Sequence, residues 1–423
     1  MNYYILPKKH SNIEISSTIL DTNKIIHNPL ISHNLIFYLS EINEVLHNSI
    51  NDMNTQSETT EYSDSIFQLL NPYEFIFTKI PGSKLSISKL KPFSNIFYVF
   101  LEISTILNLF NTYTGNIKTI HYGVNNKSTV ECMNMLRDDC SDIHFETCLP
   151  SPELYGFNKL PSHIIENSID FLYFELDDII YNNINNDLKI VNNYVCGLMT
   201  IFCHILTYQN NNGICIIRLD NLYYKPVLDI IFLLTSVYEK VCIIKPSTSN
   251  INSSERYIVC KHFISNFQKK QIYTNYLTNI NNMLREYITA YPPGIYTKPI
   301  TNIINNPLPY YFLNKIEESN IIIGYQQIEY IDQIINVIKN KNKNDRVEIH
   351  KKNNIQKCIM WCEKYKIPYN KIINKINIFL HVYNYNEDIN TIDDGEIRND
   401  EIGDDEIGDD EVNIILHDIV VDI

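Results

Sequence analysis

The chain has 423 residues, 44% of them hydrophobic and 12% aromatic, enough to bury one large core or two smaller ones and too apolar for a disordered chain. Its net charge of −14 is uneven: from Glu387 onward fifteen acidic residues stand against one base, Arg398, leaving 34 acids and 34 bases in residues 1–386. That distribution excludes a uniformly basic nucleic-acid binder, but not a neutral body with a basic groove that the acidic tail can screen.

In chain order, residues 1–70 read as irregular, and "NDMNTQSETTEYSDS" reads as an exposed linker. From Tyr73 the text tightens into "YEFIFTKIPGSKLSISKLKP" and then "NIFYVFLEISTILNLF", whose apolar spacing predicts a helix. Strands follow at "IKTIHYG" (117–123), "IHFETC" (143–148) and "IDFLYFEL" (169–176). Helical runs accompany them at "TVECMNMLRDD" and "LKIVNNYVCGLMTIFCHILTYQ". Residues 213–263 then read strand, helix, strand, loop, strand.

Strands alternating with helices predict an α/β fold, a mainly parallel sheet with helices on both faces. The last two strands share only a short loop, so they pair antiparallel. In open α/β sheets ligands bind beyond the carboxyl ends of the strands, which draws weight to Gly123, Glu146, Glu175, Arg218 and Lys245. Residues 266–385 read as mainly helical, with proline-rich turns at "YPPGIYTKP" and "NNPLPYYF". Two basic amphipathic helices there present either a solvated or an RNA-facing surface. Residues 386–423 repeat acidic units that cannot bury apolar area, so a disordered tail is expected.

Ten cysteines are scattered without a Cys-x-x-Cys pair, and Cys358 and Cys362 lack a second pair, so no metal site is expected. Cys196, Cys203, Cys215 and Cys260 lie in apolar runs and read as small buried hydrophobes, which fits a reducing compartment. His121 and His204 read as satisfied core or surface histidines. No leader and no run long enough to span a bilayer is visible, so a soluble, cytoplasmic protein without a membrane partner is expected. Abundant Asn, Ile and Tyr suggest an AT-rich genome, as in a virus or parasite.

The block "EKVCIIKPSTSNINSSERYIVCKHF" resembles the end of an FtsJ-like RNA 2'-O-methyltransferase domain, and most of all the FtsJ-like proteins of large cytoplasmic DNA viruses. That resemblance implies a class I methyltransferase (Rossmann-like) fold over 71–265, with an antiparallel terminal hairpin. It also implies S-adenosylmethionine as cofactor, RNA as substrate (the mRNA cap region), and capping or virion proteins as partners in host cytoplasm or virion. The family places a Lys-Asp-Lys-Glu tetrad around the ribose 2'-hydroxyl. By resemblance its members fall on Lys89 in "SISKLKP", Glu175 in "DFLYFELDD", Arg218 in "ICIIRL" and Glu255 in "NSSERY". Tyr122, Gly123, Glu146 and Glu175 would hold the cofactor, and Lys84, Lys91 and Lys245 would meet RNA or position a loop.

Three departures separate this chain from the family. Arg218 replaces the lysine expected to accept the proton, and a guanidinium is effectively always protonated. Glu175 is one methylene longer than aspartate, a displacement of about 1 Å that can cost ~100-fold in rate. The glycine-rich loop after the first strand is reduced to Gly123, with Asn125 and Asn126 as residues able to adopt positive φ. Two readings stay open: an active RNA 2'-O-methyltransferase, or a degenerate methyltransferase fold serving as an RNA-binding or scaffold subunit.

Overall fold

The computed structural model of the protein describes residues 3–10, 13–15, 18–19, 28–54, 61–147, 164–176, 188–220, 222–290, 300–339 and 344–370. Its elements in chain order are β1 (Tyr3–Ile5), β2 (Thr18–Ile19), α1 (His33–Asn54), α2 (Glu61–Leu70), α3 (Ile96–Ile106), β3 (Lys118–Tyr122), α4 (Asn126–Leu136), β4 (Ile143–Thr147) and β5 (Ile169–Glu175). There follow α5 (Leu188–Tyr208), β6 (Gln209–Leu219), α6 (Lys225–Val237), β7 (Tyr238–Ile244), β8 (Arg256–Phe263), α7 (Phe267–Ala290), β9 (Ile300–Asn302), α8 (Tyr310–Lys339) and α9 (Asn344–Lys364).

Seven strands form one sheet in the order β1-β7-β8-β6-β5-β3-β4. β4, β3, β5, β6 and β7 run parallel, β8 is inserted antiparallel between β6 and β7, and β1 closes the edge antiparallel to β7. This is the Rossmann-like α/β arrangement of class I methyltransferases, with the terminal hairpin in place. Central β5, buried along both faces except at Asp170, reads "IDFLYFE" as a near-continuous apolar run, whereas edge strand β4 is half exposed.

Alternation along the strands splits the core into two layers. Phe171, Tyr173, Ile214, Ile216, Tyr257 and Val259 face α3 and α9, where Trp361 meets Tyr98 edge to face at 5.8 Å. Leu172, Phe174, Cys215, Ile217, Ile258 and Cys260 face α5, α6, α7 and the start of α8. Both α3 and α6 bury nearly every side chain, which explains why their sequences are apolar almost all round.

The N-terminal stretch read as irregular contributes edge strand β1 and the 22-residue α1. Both depend on distant partners: β1 on β7, and α1 on α8, where Gly324 lets Leu35 pack against the helix backbone. Helix α8 also begins well before the stretch read as helical. Cys196, Cys203, Cys215, Cys260, Cys358 and Cys362 are buried free thiols, their pKa values raised by burial. The acidic tail, the "YPPGIYTKP" turn and the Asp177–Asp178 pair after β5 lie outside the described residues. No helix among the described residues is long and apolar enough to cross a membrane.

Candidate active site

The strand order reverses between β3 and β5, the switch point where open α/β sheets hold their ligands. Gly123 follows β3 on one side of that switch, and Glu175 ends β5 on the other. In register, Glu175 lies beside Arg218 of β6, and Arg218 beside Tyr257 of β8. Side chains at paired positions project to the same face, so three strands converge on one cluster. Glu255, two residues before Tyr257, joins them on that face.

Arg218 is the hub. Its guanidinium pairs with Glu175 through Nη1 and with Glu255 through Nη2, the latter at 3.2 Å. The side chains of Arg218, Glu175 and Glu255 are only 15%, 2% and 11% exposed, so the triad is largely withdrawn from water. Tyr257 donates its hydroxyl hydrogen to Glu255 Oε1. Asn125, at the start of α4, donates its backbone N–H to Glu175 Oε2 at 3.3 Å and its amide Nδ2–H to Oε1 at 2.8 Å. Gly123 has φ +127°, and a Cβ there would stand 2.6 Å from the Glu175 Cβ. Glycine is required at this point because the Glu175 side chain lies directly against its backbone.

The electrostatics push the two carboxylates apart. Burial raises the Glu175 pKa above the ordinary carboxylate value, and Arg218 and Asn125 offset only part of that. Burial acts in the same sense on Glu255, but Arg218 and Lys245 outweigh it and hold Glu255 below that value. Burial pulls Arg218 down, yet the flanking carboxylates win and it stays protonated. Lys245 is lowered to about 8, chiefly by burial, with Glu255 opposing and Arg256 and Arg218 adding to the fall.

The structure therefore brings together Glu175, Arg218 and Glu255, three of the four residues placed on the family tetrad. Lys89 is separate. Its backbone N–H donates to Pro368 O at 2.9 Å beside the Ser88–Tyr369 bridge, and its side chain is exposed with no ion pair among the described residues. Lys84 and Lys91 are likewise exposed on this segment. Lys245 holds a loop: its ammonium donates to Asn250 O at 2.8 Å and Ser253 O at 2.6 Å, setting the turn that delivers Glu255.

Two expectations need correction. Only the Tyr122 backbone lies beside Gly123, because strand alternation turns the side chain to the sheet face opposite Glu175. There it stacks on Phe174 at 4.7 Å and shares a hydrogen bond with His204. Asn125 keeps φ −98° at the helix start, and Asn126 lies within α4, so neither uses a positive φ. Histidine 121 is a core residue, fully buried between Thr119 and Thr129 and lowered to about 3 by burial. Tyr257 and Glu102 were not singled out from the sequence, and Asn125 was singled out for its backbone conformation, not as a donor to Glu175. For Tyr257 the signal was available, since it stands two residues from Glu255 on a strand. Glu102 lies inside α3 and shows its role only by accepting from the Thr248 N–H at 3.1 Å and hydroxyl at 3.0 Å.

The residues at the switch point fit a nucleoside-linked amino acid only in part. Glu146 is exposed near the end of β4, placed to accept from ribose hydroxyls, and Gly123 permits close backbone approach. The Asn125 donors already hold a carboxylate, that of Glu175, and it must release them for a ligand carboxylate to enter. Among the described residues no cluster of His, Cys, Asp and Glu could hold a metal ion.

This sheet and cluster define a class I methyltransferase fold with an acid–arginine–acid centre at its switch point. Over 155 residues, 36% of the chain, it is 24% identical to the cap-specific mRNA (nucleoside-2'-O-)-methyltransferase 1A of Caenorhabditis briggsae. It is 23% identical over the same length to the inactive cap-specific mRNA (nucleoside-2'-O-)-methyltransferase 1B of that organism. The chain spans 17% of the length of each of these relatives. A candidate ribosomal RNA methyltransferase from Plasmodium falciparum superposes over 41% of this chain and 99% of its own, at TM-score 0.32 and 14% identity. A probable spermidine synthase from Corynebacterium glutamicum covers 54% of this chain and 88% of its own, at TM-score 0.28 and 8% identity. No protein-family model matches the chain.

Proposed function

We propose that this chain is an S-adenosylmethionine-dependent RNA ribose 2'-O-methyltransferase of the FtsJ-like kind, acting on the cap region of mRNA. The observation that carries the reading is the Arg218 guanidinium bridging two buried carboxylates of divergent proton affinity at the switch point. Groups pushed apart in this way mark an acid–base assignment. When bound, the cofactor supplies an electrophilic methyl group on a sulfonium.

The chain's residues then divide the remaining work. Arg218 cannot accept a proton, so it faces the ribose oxygen and stabilises the negative charge developing there. Glu175, the carboxylate with raised pKa, takes the 2'-hydroxyl proton. Glu255, held ionised, orients Arg218, and Lys245 fixes the loop that carries Glu255. Glu146, Gly123 and Asn125 hold the cofactor, while Lys84, Lys89 and Lys91 meet RNA phosphates. Transfer of labelled methyl to capped RNA tests this assignment. Glu175→Gln is expected to lower kcat by at least ~100-fold, within the range that general bases contribute, and an unaltered kcat would remove Glu175 as the base.

A second reading, a non-catalytic RNA-binding or scaffold subunit, is favoured by one observation: the Glu175 side chain fills the space against Gly123 and engages both Asn125 donors. Calorimetry with S-adenosylmethionine separates the two. The enzyme reading expects binding by the wild-type chain and tighter binding by Glu175→Ala, whose cradle is open. Absence of heat from both proteins at millimolar cofactor leaves the non-catalytic reading.

A further inference from the structure

At the same end of the sheet, Phe93 stands 55% exposed just before α3. An exposed phenylalanine is ordinary when its backbone is loose, but the backbone here is anchored at Phe93 and the two residues after it. Its N–H donates to the Glu131 carboxylate on α4 at 2.9 Å. The next residue, Ser94, shares a hydrogen bond with Ser128 at 2.8 Å, and Asn95 donates to Thr248 O at 3.1 Å, on the loop preceding Glu255. The backbone that carries the ring is thus tied to α4, which begins three residues after Gly123, and to the loop that delivers Glu255. One side of the ring is covered by the Lys127 ammonium, 5.5 Å from its centroid.

The surroundings are cationic. Lys127, Lys91, Lys89 and Lys84 are exposed, and none has an ion pair among the described residues. One acid, Glu131, stands among them and accepts the Phe93 N–H, so the lysines keep the excess of charge. The 84–91 segment is itself pinned by the Lys89 N–H to Pro368 O and the Asn370 N–H to Ile87 O, at 2.9 and 2.8 Å. An exposed aromatic face on an anchored backbone, with four exposed lysines on the adjoining segments, suits single-strand recognition: bases stack on the ring while ammonium groups follow the phosphates.

We propose that Phe93 is a stacking platform for an unpaired RNA base next to the nucleotide that enters the Glu175–Arg218–Glu255 centre, with Lys127 backing the ring and contacting the adjoining phosphate. The inference rests on the RNA reading of that centre but not on its catalytic competence. A base held there fixes the strand in register, so the ribose of its neighbour is presented to Arg218. Duplex RNA keeps its bases stacked on each other and cannot use the ring.

Fluorescence anisotropy of the full chain without cofactor, on a labelled ten-nucleotide oligoadenylate and a ten-base-pair RNA duplex, tests this. Phe93→Ala is expected to weaken single-strand binding by about 5- to 160-fold, the loss from removing one base–aromatic stack. Duplex binding should stay unaltered, and Phe93→Trp should bind the single strand as wild type does. Lys127→Ala should lower the salt dependence of single-strand binding by about 0.7 in the log–log slope, and Phe93→Ala should not. Binding by Phe93→Ala within twofold of wild type, equal losses on single strand and duplex, or no RNA binding by the wild-type chain would each overturn the platform. Should methyl transfer be absent while Phe93-dependent binding persists, the catalytic reading falls and the platform stands. The reverse result removes the platform alone.

Discussion

Replacing Arg218 by methionine keeps much of the side-chain volume and removes the cation that bridges Glu175 and Glu255. At 3.2 Å and an effective dielectric of about 20, the Arg218–Glu255 attraction alone amounts to about 5 kcal/mol before desolvation is subtracted. Glu175 and Glu255 are 2% and 11% exposed, so neither carboxylate recovers its hydration when the arginine goes. The expected loss is therefore that of breaking a buried pair, about 3–5 kcal/mol at pH 7.5. Arg218 lowers the pKa of both carboxyl groups, so in Arg218→Met both rise and protonation relieves the repulsion. The sign follows: a depressed carboxylate such as Glu255 contributes stability above its unfolded pKa and loses it as pH falls, so the gap between wild type and variant should narrow from pH 7.5 to pH 5. Urea unfolding followed by circular dichroism at the two pH values measures the gap. Adding Glu175→Gln and Glu255→Gln should restore stability to within about 1 kcal/mol of wild type, since apolar or neutral replacement of a whole buried network is close to neutral. A deficit under 1 kcal/mol, or one that neither acid nor the double glutamine substitution reduces, would refute the buried-triad account.

Three further outcomes are expected. Gly123→Ala adds a Cβ 2.6 Å from Glu175 Cβ at a backbone φ of +127°; it should cost about 1–3 kcal/mol in strain and displace Glu175, lowering methyl transfer more than RNA affinity. Lys245 has a folded pKa of about 8 against 10.5 for the free side chain, so between those values the unfolded chain binds the extra proton and stability rises with pH. The melting temperature of wild type relative to Lys245→Met should accordingly climb between pH 7.5 and 9.5, and a flat difference would show that Lys245 is not perturbed. Gly324→Val places a Cβ 2.4 Å from Leu35 Cδ1 where α8 meets α1; thermal unfolding should register a loss of about 1–3 kcal/mol from overpacking, reduced when Leu35→Ala makes room.

What the sequence determined by itself is the local periodic structure. Helices α3 to α6 and strands β3 to β8 are legible because apolar residues repeat at the period of the element that buries them. The chain order of those elements forces a mainly parallel sheet with a reversed strand at the end. The motif around Glu255 and the arginine at the end of β6 were also visible as residue types in a known pattern. Only the tertiary structure decided the rest, because each case depends on a contact between residues distant in the chain. β1 is three residues long and forms on the edge of β7. α1 carries polar residues on much of its length and gains its partner from α8, nearly three hundred residues away. Tyr122 stands next to Gly123 in sequence, yet the pleat turns its side chain to the other layer. Whether Arg218 reached into solvent or closed upon Glu175 and Glu255 was equally invisible, since β5, β6 and β8 had first to align their ends. That alignment converts three ordinary charged residues into one buried, mutually dependent centre.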